Sequence, residues 1–455
     1  MRHALRTSLL LIASSMSAAG AFAGCGGDPQ EVKYPTTDAG GAAVVRPADS
    51  SGQSAVVGET AGGGGTGLTG AAREAYDRGW KAWLSGDLAT AKASFTEAAQ
   101  KAPTNPAPQH SLGVVLERLG ETAGAQQAYR AAFSAKPDHE PSACAFALSL
   151  ARSGHGGEAD TFLTDRNNKQ KDNPRVLTCL AEVKSLAKDS ATAQQLAQEA
   201  LRVNPDHREA MVVIARDHYR AGRIDLAKYA LQAILDGFGD SSPPRDKGNA
   251  EAHLLRGIIG REQGQRLAAM RDFEAAKATR PDLVEAQIQA GAMKLEAGNV
   301  TEALPMLETA ARYAPKSAIA HLNLGDAYRL STRTDDAKKE FDTALSLDSS
   351  LAAAHYNMGL MYLFAPNMPG MTSDQQVTSA IREFETYKTM KGRAPGGAED
   401  VDELLNRAKQ KQAELKLGSS AAAAPPAGAK PAPAGSSPPP EAKPAAAADA
   451  GAPKK

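Results

Sequence analysis

Residues 318–349 read AIAHLNLGDAYRLSTRTDDAKKEFDTALSLDS, and this stretch decides the fold. Small residues such as Gly325 and Ala337 alternate there with large apolar ones such as Phe341. The pattern predicts a unit of two helices, in which the small residues let the helices approach closely and the large ones fill the space between them.

A 34-residue spacing carries this unit along the middle of the chain. Pro103 and Pro137 are 34 residues apart, as are Pro281 and Pro315, and Pro205 lies 68 residues beyond Pro137. Small residues stand 24 and 12 positions before these prolines: Gly79, Gly113, Ala181, Gly257, Gly291, Ala91, Ala125, Ala193, Ala269 and Ala303. One helix pair cannot bury its apolar face alone, so such units are expected to stack.

The pattern resembles the tetratricopeptide repeat. HLNLGDAY at residues 321–328 and HYNMGLMY at residues 355–362 match its first helix, and proline closes the second in five of the units. Repeats are assigned starts at residues 72, 106, 140, 174, 208, 250, 284, 318 and 352. The resemblance implies an all-α, right-handed superhelical solenoid of about nine helix pairs over residues 71–391, flanked by disordered termini.

Three of these repeats depart from the consensus. GFGDSSPPRDKGN at residues 237–249 inserts a loop before repeat six, and APNMPGMTSD at residues 365–374 lengthens repeat nine. Repeat three has Lys171 and repeat eight has Ser349 where the closing proline is expected.

The first 24 residues have the features of a secretory signal peptide: a basic start, an apolar stretch and a site of small residues. Phe22-Ala23-Gly24-Cys25 resembles a bacterial lipobox, which implies that Cys25 is lipidated, although Phe22 replaces the usual Leu. The alternative is ordinary signal cleavage that leaves a free cysteine. Gly26 and Gly27 in place of Asp after Cys25 favour the outer membrane, with the protein on its periplasmic side. Residues 25–70 are expected to form a flexible linker.

Two segments follow the repeats. Residues 398–417 are expected to form a helix that caps the apolar end of the solenoid. Residues 418–455 are rich in proline and alanine and are interpreted as a disordered tail, the alternative being a tethering spacer.

Composition and motifs argue against several classes of function. With 52 Lys and Arg against 52 Asp and Glu, the chain has no net charge to attract nucleic acid. The sequence contains no common catalytic or nucleotide-binding motif, so no enzyme activity, cofactor, metal or small-molecule substrate is predicted. Cys144 and Cys179 are interpreted as small buried residues rather than as a disulfide. His253, His321 and His355 share position four of their repeats and are interpreted as packing residues.

Aromatic residues mark two candidate partner-binding sites. The resemblance implies that positions two, five, nine and twelve of each first helix line the inner, concave face of the solenoid. In repeat one these include Tyr76, Trp80 and Trp83, which share one helix face. They either bind a partner or are covered by a preceding segment acting as a cap. Tyr356 in repeat nine has the same two interpretations, with the C-terminal helix as its cover.

Polar residues mark the inner face between these ends. Arg216 and Tyr219 of repeat five and Arg261 of repeat six are candidates for partner binding. Repeat eight contributes Asp326 and Arg329. Asparagines at position six of family members hydrogen-bond an extended peptide, so Asn323 and Asn357 are further candidates, with a structural role as the alternative.

The resemblance implies a non-catalytic scaffold, anchored to a membrane by lipid, that binds other proteins of a bacterial envelope complex. Lipoproteins of this layout serve pilus biogenesis, outer-membrane assembly and surface gliding, and the long linker and proline-rich tail most resemble the myxobacterial gliding type. The alternative is a periplasmic, chaperone-like carrier that holds polypeptide clients at its apolar ends.

Overall fold

The computed structural model describes residues 67–366, 368–391 and 398–423. Within these ranges the chain forms nineteen helices and no strand. Eighteen of the helices form nine consecutive antiparallel pairs, and the nineteenth follows them. The expected all-α solenoid of about nine tetratricopeptide-type pairs is therefore confirmed. Cys25, the signal segment, the linker up to residue 66 and the tail beyond residue 423 lie outside the described residues.

The helices are numbered in chain order, with odd numbers for the first helix of each repeat and even numbers for the second. Their bounds are α1 Gly70–Ser85, α2 Leu88–Lys101, α3 Pro106–Arg118, α4 Thr122–Ala135, α5 Glu140–Arg152, α6 Gly156–Lys169, α7 Pro174–Leu186, α8 Ser190–Val203, α9 Arg208–Arg220, α10 Ile224–Leu235, α11 Ala250–Glu262, α12 Arg266–Thr279, α13 Val284–Glu296, α14 Val300–Tyr313, α15 Ala318–Leu330, α16 Thr334–Leu347, α17 Ala352–Phe364, α18 Ser373–Lys391 and α19 Ala398–Ala423. None of these helices is both long enough and apolar enough to cross a membrane.

Local signals place the helix ends. The side chains of Asn105, Asn173, Asn249 and Ser317 each accept a hydrogen bond from a backbone N–H in the first turn of an odd-numbered helix. The turn between the two helices of a pair contains a residue with positive φ in each of the first eight repeats. Glycine fills this position in six of them, and Lys188 and Thr332 fill it in repeats four and eight.

Close approach within a pair depends on glycine in the odd-numbered helix. A Cβ atom on Gly325 of α15 would lie 2.6 Å from the ring of Phe341 on α16, which is fully buried. Gly79, Gly257 and Gly359 face Phe95, Phe273 and Phe384 in the same way. The small and large positions of the repeat are thus two sides of one contact.

The solenoid turns back on itself. One apolar core runs through repeats one to four and continues directly into repeats seven to nine, because the ring of Trp83 on α1 packs on that of Tyr313 on α14. Repeats five and six hold two further apolar cores, on α9–α11 and on α11–α13. Repeats one to seven therefore form a closed ring, and repeats eight and nine extend beyond it.

A disulfide bond joins neighbouring repeats. Cys144 of α5 and Cys179 of α7 are bonded, with their Cα atoms 5.7 Å apart. The expectation that both are unpaired apolar residues is wrong. Equivalent positions of successive repeats lie side by side, and these cysteines stand 35 residues apart, one more than the repeat length. The bond braces repeat three, whose second helix buries only Ala159 and Leu163.

The last helix covers the open end of repeat nine. Val401, Leu405 and Ala408 of α19 are buried in the main apolar core. The guanidinium group of Arg407 lies 4.9 Å from the ring centre of Phe364. The helix extends to Ala423, beyond the expected end at residue 417.

Candidate partner-binding surface

The aromatic residues of repeat one do not form an open surface. Tyr76 is buried against Phe95, and its hydroxyl lies 3.3 Å from the hydroxyl of Ser111. Burial raises the pKa of Tyr76 well above its usual value. Trp83 is 3% exposed, and only Trp80 keeps part of its surface accessible. The expectation of three exposed inner-face aromatics is wrong for Tyr76 and Trp83.

Repeat seven covers Trp83. Neither of the two interpretations of this residue, open binding or cover by a preceding segment, included that contact. The ring centres of Trp83 and Tyr313 are 5.7 Å apart, in an edge-on arrangement. The hydroxyl of Tyr313 donates a hydrogen bond to the backbone oxygen of Leu84 at 2.9 Å, and Arg312 Nη1 donates to that of Ser85 at 3.1 Å. These carbonyls belong to the last turn of α1 and lack partners within the helix.

A buried arginine extends the contact. The guanidinium group of Arg118 at the end of α3 lies 5.9 Å from the ring centre of Trp83. Its Nη2 donates to the backbone oxygen of Asp282 at 3.3 Å and lies 4.0 Å from the carboxylate. Burial would raise the pKa of Asp282, but Arg280 and Arg118 lower it below its ordinary value. We call the whole contact the clasp: Trp83, Leu84, Ser85 and Arg118 on one side, and Asp282, Arg312 and Tyr313 on the other.

A chain of ion pairs lines the inner face of repeats four to seven. Arg216 lies between Glu182 of the preceding repeat, at 3.1 Å, and Glu251 of the following one, at 2.6 Å. Arg280 continues the chain, 3.7 Å from Glu251 and 2.9 Å from Asp282. The ion pairs therefore link repeat four to the clasp.

Glu182 is the most strongly perturbed acid of this chain. Burial would raise its pKa, but the guanidinium groups of Arg216 and Arg220 lower it to about 2. Arg220 Nη2 lies 2.7 Å from the carboxylate. The carboxylate therefore stays ionised across the physiological pH range.

Glu285 contrasts with Glu182. It is half-buried at the start of α13, and burial raises its pKa to about 7, with only the charge of Arg216 acting in the opposite direction. In the unfolded chain an ordinary Glu ionises near pH 4.5. Its ionisation therefore opposes folding increasingly as the pH rises from 4.5 through 7.

Tyr219 and Arg261 lie beside this chain of charges and remain partly accessible. The hydroxyl of Tyr219 donates to Glu262 Oε1 at 2.6 Å. Arg261 Nη2 lies 2.6 Å from Glu296, and its Nη1 donates to Gln289. The accessible inner face of the ring is thus polar, with most of its charges already paired.

The candidates in repeats eight and nine are packed between helices. Asp326 is fully buried and accepts two hydrogen bonds from Arg329, at 2.8 and 2.6 Å. Asn323 Nδ2 donates to the backbone oxygen of Ile319 at 2.8 Å. Asn357 and Tyr356 are also buried. The expectation that these residues offer an accessible surface is wrong in this arrangement, because neighbouring odd-numbered helices pack closely there.

The histidines at position four form paired contacts inside each repeat. His253, His321 and His355 bring Nδ1 within 2.8, 2.6 and 2.7 Å of Asp272, Glu340 and Glu383 on the second helix of the same repeat. A packing role accounts for all three. Within the described residues, no group of His, Cys, Asp and Glu side chains is arranged to hold a metal ion.

The sequence interpretation missed Arg118, Asp282 and Tyr313 of the clasp. It also missed the two partners of Arg216. A signal for those partners was present: Glu182 and Arg216 occupy the same inner-face position in consecutive repeats, and Glu251 occupies position two of the next.

Comparison with known families agrees with this geometry. Tetratricopeptide repeat profiles match residues 108–139, 187–243 and 294–356. The fold is a tetratricopeptide repeat solenoid. Solenoids of this class are typically non-catalytic scaffolds that bind other proteins. No curated protein has significant sequence similarity to the chain.

Several solved structures are similar to the chain. The APC/C hetero-tetramer Cut9–Hcn1 is 14% identical over 74% of this chain and 76% of that chain, with a TM-score of 0.48. YrrB, a protein of the same repeat with an unusual peptide-binding site, is 18% identical over 42% of this chain and 95% of that chain, with a TM-score of 0.31. A repeat protein from Parabacteroides merdae is 16% identical over 74% and 99%, with a TM-score of 0.27.

Proposed function

We propose that the protein is a non-catalytic scaffold, anchored to a bacterial envelope membrane through lipid on Cys25. Its inner face holds folded protein partners of an envelope complex, of the kind that serves surface gliding, pilus biogenesis or outer-membrane assembly. The outer membrane, on its periplasmic side, is the proposed site.

The character of the accessible inner face carries the scaffold proposal. A carrier of unfolded polypeptides needs open apolar surface, and the apolar residues at both ends of the array are covered. The clasp covers Trp83, and Tyr356 and Leu363 are buried near α19. What remains accessible around Arg216 and Tyr219 is polar and ordered, which suits a folded partner with complementary charges.

The disulfide bond supports an exported destination. Disulfides persist in oxidising compartments such as the periplasm and are rare in the reducing cytosol. The bond between Cys144 and Cys179 was not used to infer the signal peptide, so the two observations support export independently.

The anchor is tested by Cys25→Ala in the producing cells. Loss of the lipidated residue removes the acyl chains, so the variant is expected to leave the detergent phase for the soluble periplasmic fraction, or to stay unprocessed. Phase partitioning followed by immunoblotting measures this. A variant that partitions with detergent as the wild type does would contradict the lipid anchor.

The docking face is tested by Tyr219→Ala, followed by crosslinking in intact cells and identification of the joined proteins. Truncating a partly exposed aromatic inside an interface costs at least about 1.4 kcal/mol, so recovery of the partner is expected to fall roughly tenfold. Tyr229→Ala is the matched control, because Tyr229 is 63% exposed on α10 and stacks only on Phe238.

Equal recovery from both tyrosine variants would remove the inner face from the proposal. Recovery of many unrelated unfolded proteins, rather than a few in fixed proportion, would favour the carrier.

A further inference from the structure

The clasp is a small contact between two larger bodies. Repeats one to four share one apolar core, and the bond between Cys144 and Cys179 braces the weakest of them. Repeats seven to nine and α19 form the second body. The two bodies meet directly at the clasp, through one pair of aromatic rings, one buried arginine and hydrogen bonds to backbone oxygens.

Repeats five and six connect these bodies by a different route. Their apolar cores are separate from the main core. On the inner face the connection is made by ion pairs, from Glu182 through Arg216 and Glu251 to Arg280. Charge pairs tolerate changes of geometry better than close-packed side chains, and salt weakens them.

Closure of the ring restricts access to the inner face. A polypeptide held along that face must either enter by a free end or pass between repeats one and seven. The clasp is the only contact that the second route has to break, because the remaining repeats of the ring are joined by covalent connections.

We propose that the clasp is a gate: the ring opens between repeats one and two and repeat seven, with repeats five and six as the hinge, and opening admits a partner's polypeptide to the inner face. The gating role rests on the proposed docking function. The opening itself does not, since it is a property of the isolated chain.

The test uses one reactive thiol on the inner face. In the full chain with Cys25→Ser, Glu285→Cys is the free thiol, because Cys144 and Cys179 are bonded. Two probes are compared: N-ethylmaleimide, which is small, and maleimide on a long polyethylene glycol chain, which stands in for a polypeptide. Only the polymer is expected to react slowly while the clasp is closed.

Tyr313→Phe is the gate variant, since it removes only the hydroxyl that bonds Leu84. Loss of one ordinary hydrogen bond is expected to raise the open fraction, and with it the polymer rate, roughly fivefold. Tyr328→Phe removes an equivalent hydrogen bond to Glu308 outside the clasp and is expected to leave both rates unchanged. Raising the salt concentration to about 1 M should also speed the polymer reaction.

A direct distance measurement accompanies the labelling. Dyes on Ser85→Cys and Lys316→Cys, exposed residues on opposite sides of the clasp, should report a long-distance population that grows in Tyr313→Phe. A pair on Lys316→Cys and Ser346→Cys, within the second body, should not change. These variants also carry Cys25→Ser.

Polymer rates and distances that are the same in the wild type, Tyr313→Phe and high salt would overturn the gate. Opening that is seen by distance but leaves the polymer rate unchanged would overturn its role in admission. Loss of partner recovery in Tyr219→Ala bears on the docking function alone, so failure of the two proposals can be told apart.

Discussion

Arg216→Ala is expected to lower the free energy of unfolding by about 2–4 kcal/mol near pH 7, because it leaves buried carboxylates without their main counter-charge. Arg216 is the residue that joins Glu182 to Glu251. Arg220 still contacts Glu182, so the loss is smaller than for a charge left without any partner. Urea denaturation of the purified chain measures the effect.

The pH dependence of this loss follows from Glu182. In the folded wild type its pKa is about 2, below the ordinary value of 4.5, so its stabilising contribution is present above pH 4.5 and is lost as the pH falls toward 2. Removing Arg216 raises this folded-state pKa. The difference between variant and wild type should therefore be largest near neutral pH and shrink as the pH falls below 4.5.

Two comparisons make the interpretation specific. Arg271→Ala removes an exposed arginine from α12 and should change the free energy of unfolding by less than about 0.5 kcal/mol. Adding Glu182→Gln and Glu251→Gln to Arg216→Ala should restore much of the loss, because no unpaired charge remains. A loss that is independent of pH and is not restored would show that the ion pairs do not support the ring.

The repeat register was predictable from sequence because it is local. Each pair of helices is fixed by contacts within about 34 residues, and eight of the nine odd-numbered helices begin at the residue expected from the proline spacing. Even degenerate members such as repeat three keep the register. Lys188 and Thr332 occupy the left-handed turn where six other repeats have glycine, so the neighbouring packing decides this conformation rather than the residue.

The closure of the ring could not be predicted in this way. Whether Trp83 meets Tyr313 depends on a small rotation between repeats that accumulates over seven of them. The residues of the clasp lie about 230 positions apart, and their types, tryptophan, tyrosine and arginine, are equally compatible with a partner-binding surface. The sequence therefore identified Trp83 as unusual but not what covers it.

The buried candidates of repeats eight and nine show a second limit. Position six was expected to face a ligand, yet Asn323 bonds its own helix and is 3% exposed. Helical periodicity gives the face on which a side chain lies, whereas its accessibility depends on how tightly the next repeat packs. The polar stretch around Arg216 and Tyr219 is accessible because repeats five and six pack there through charges.

Phe341→Ala is expected to lower the free energy of unfolding by about 3–5 kcal/mol, the cost of emptying a fully buried aromatic site. Gly325→Ala alone should cost about 1–2 kcal/mol: the new Cβ lies 2.6 Å from the Phe341 ring, and the higher helix propensity of alanine offsets part of that clash. Because repeat arrays can unfold in stages, hydrogen exchange of the amides in α15 and α16 measures the local effect.

The double variant Gly325→Ala with Phe341→Ala should cost less than the sum of the two single changes, by at least about 1 kcal/mol, since the added methyl group no longer meets a ring and fills part of the cavity. The chain itself contains this arrangement: Ala181 and Ala197 occupy the same two positions in repeat four and are both fully buried. Strict additivity of the two changes would show that the glycine and the aromatic residue are independent, and that the 34-residue pattern does not arise from the close approach of paired helices.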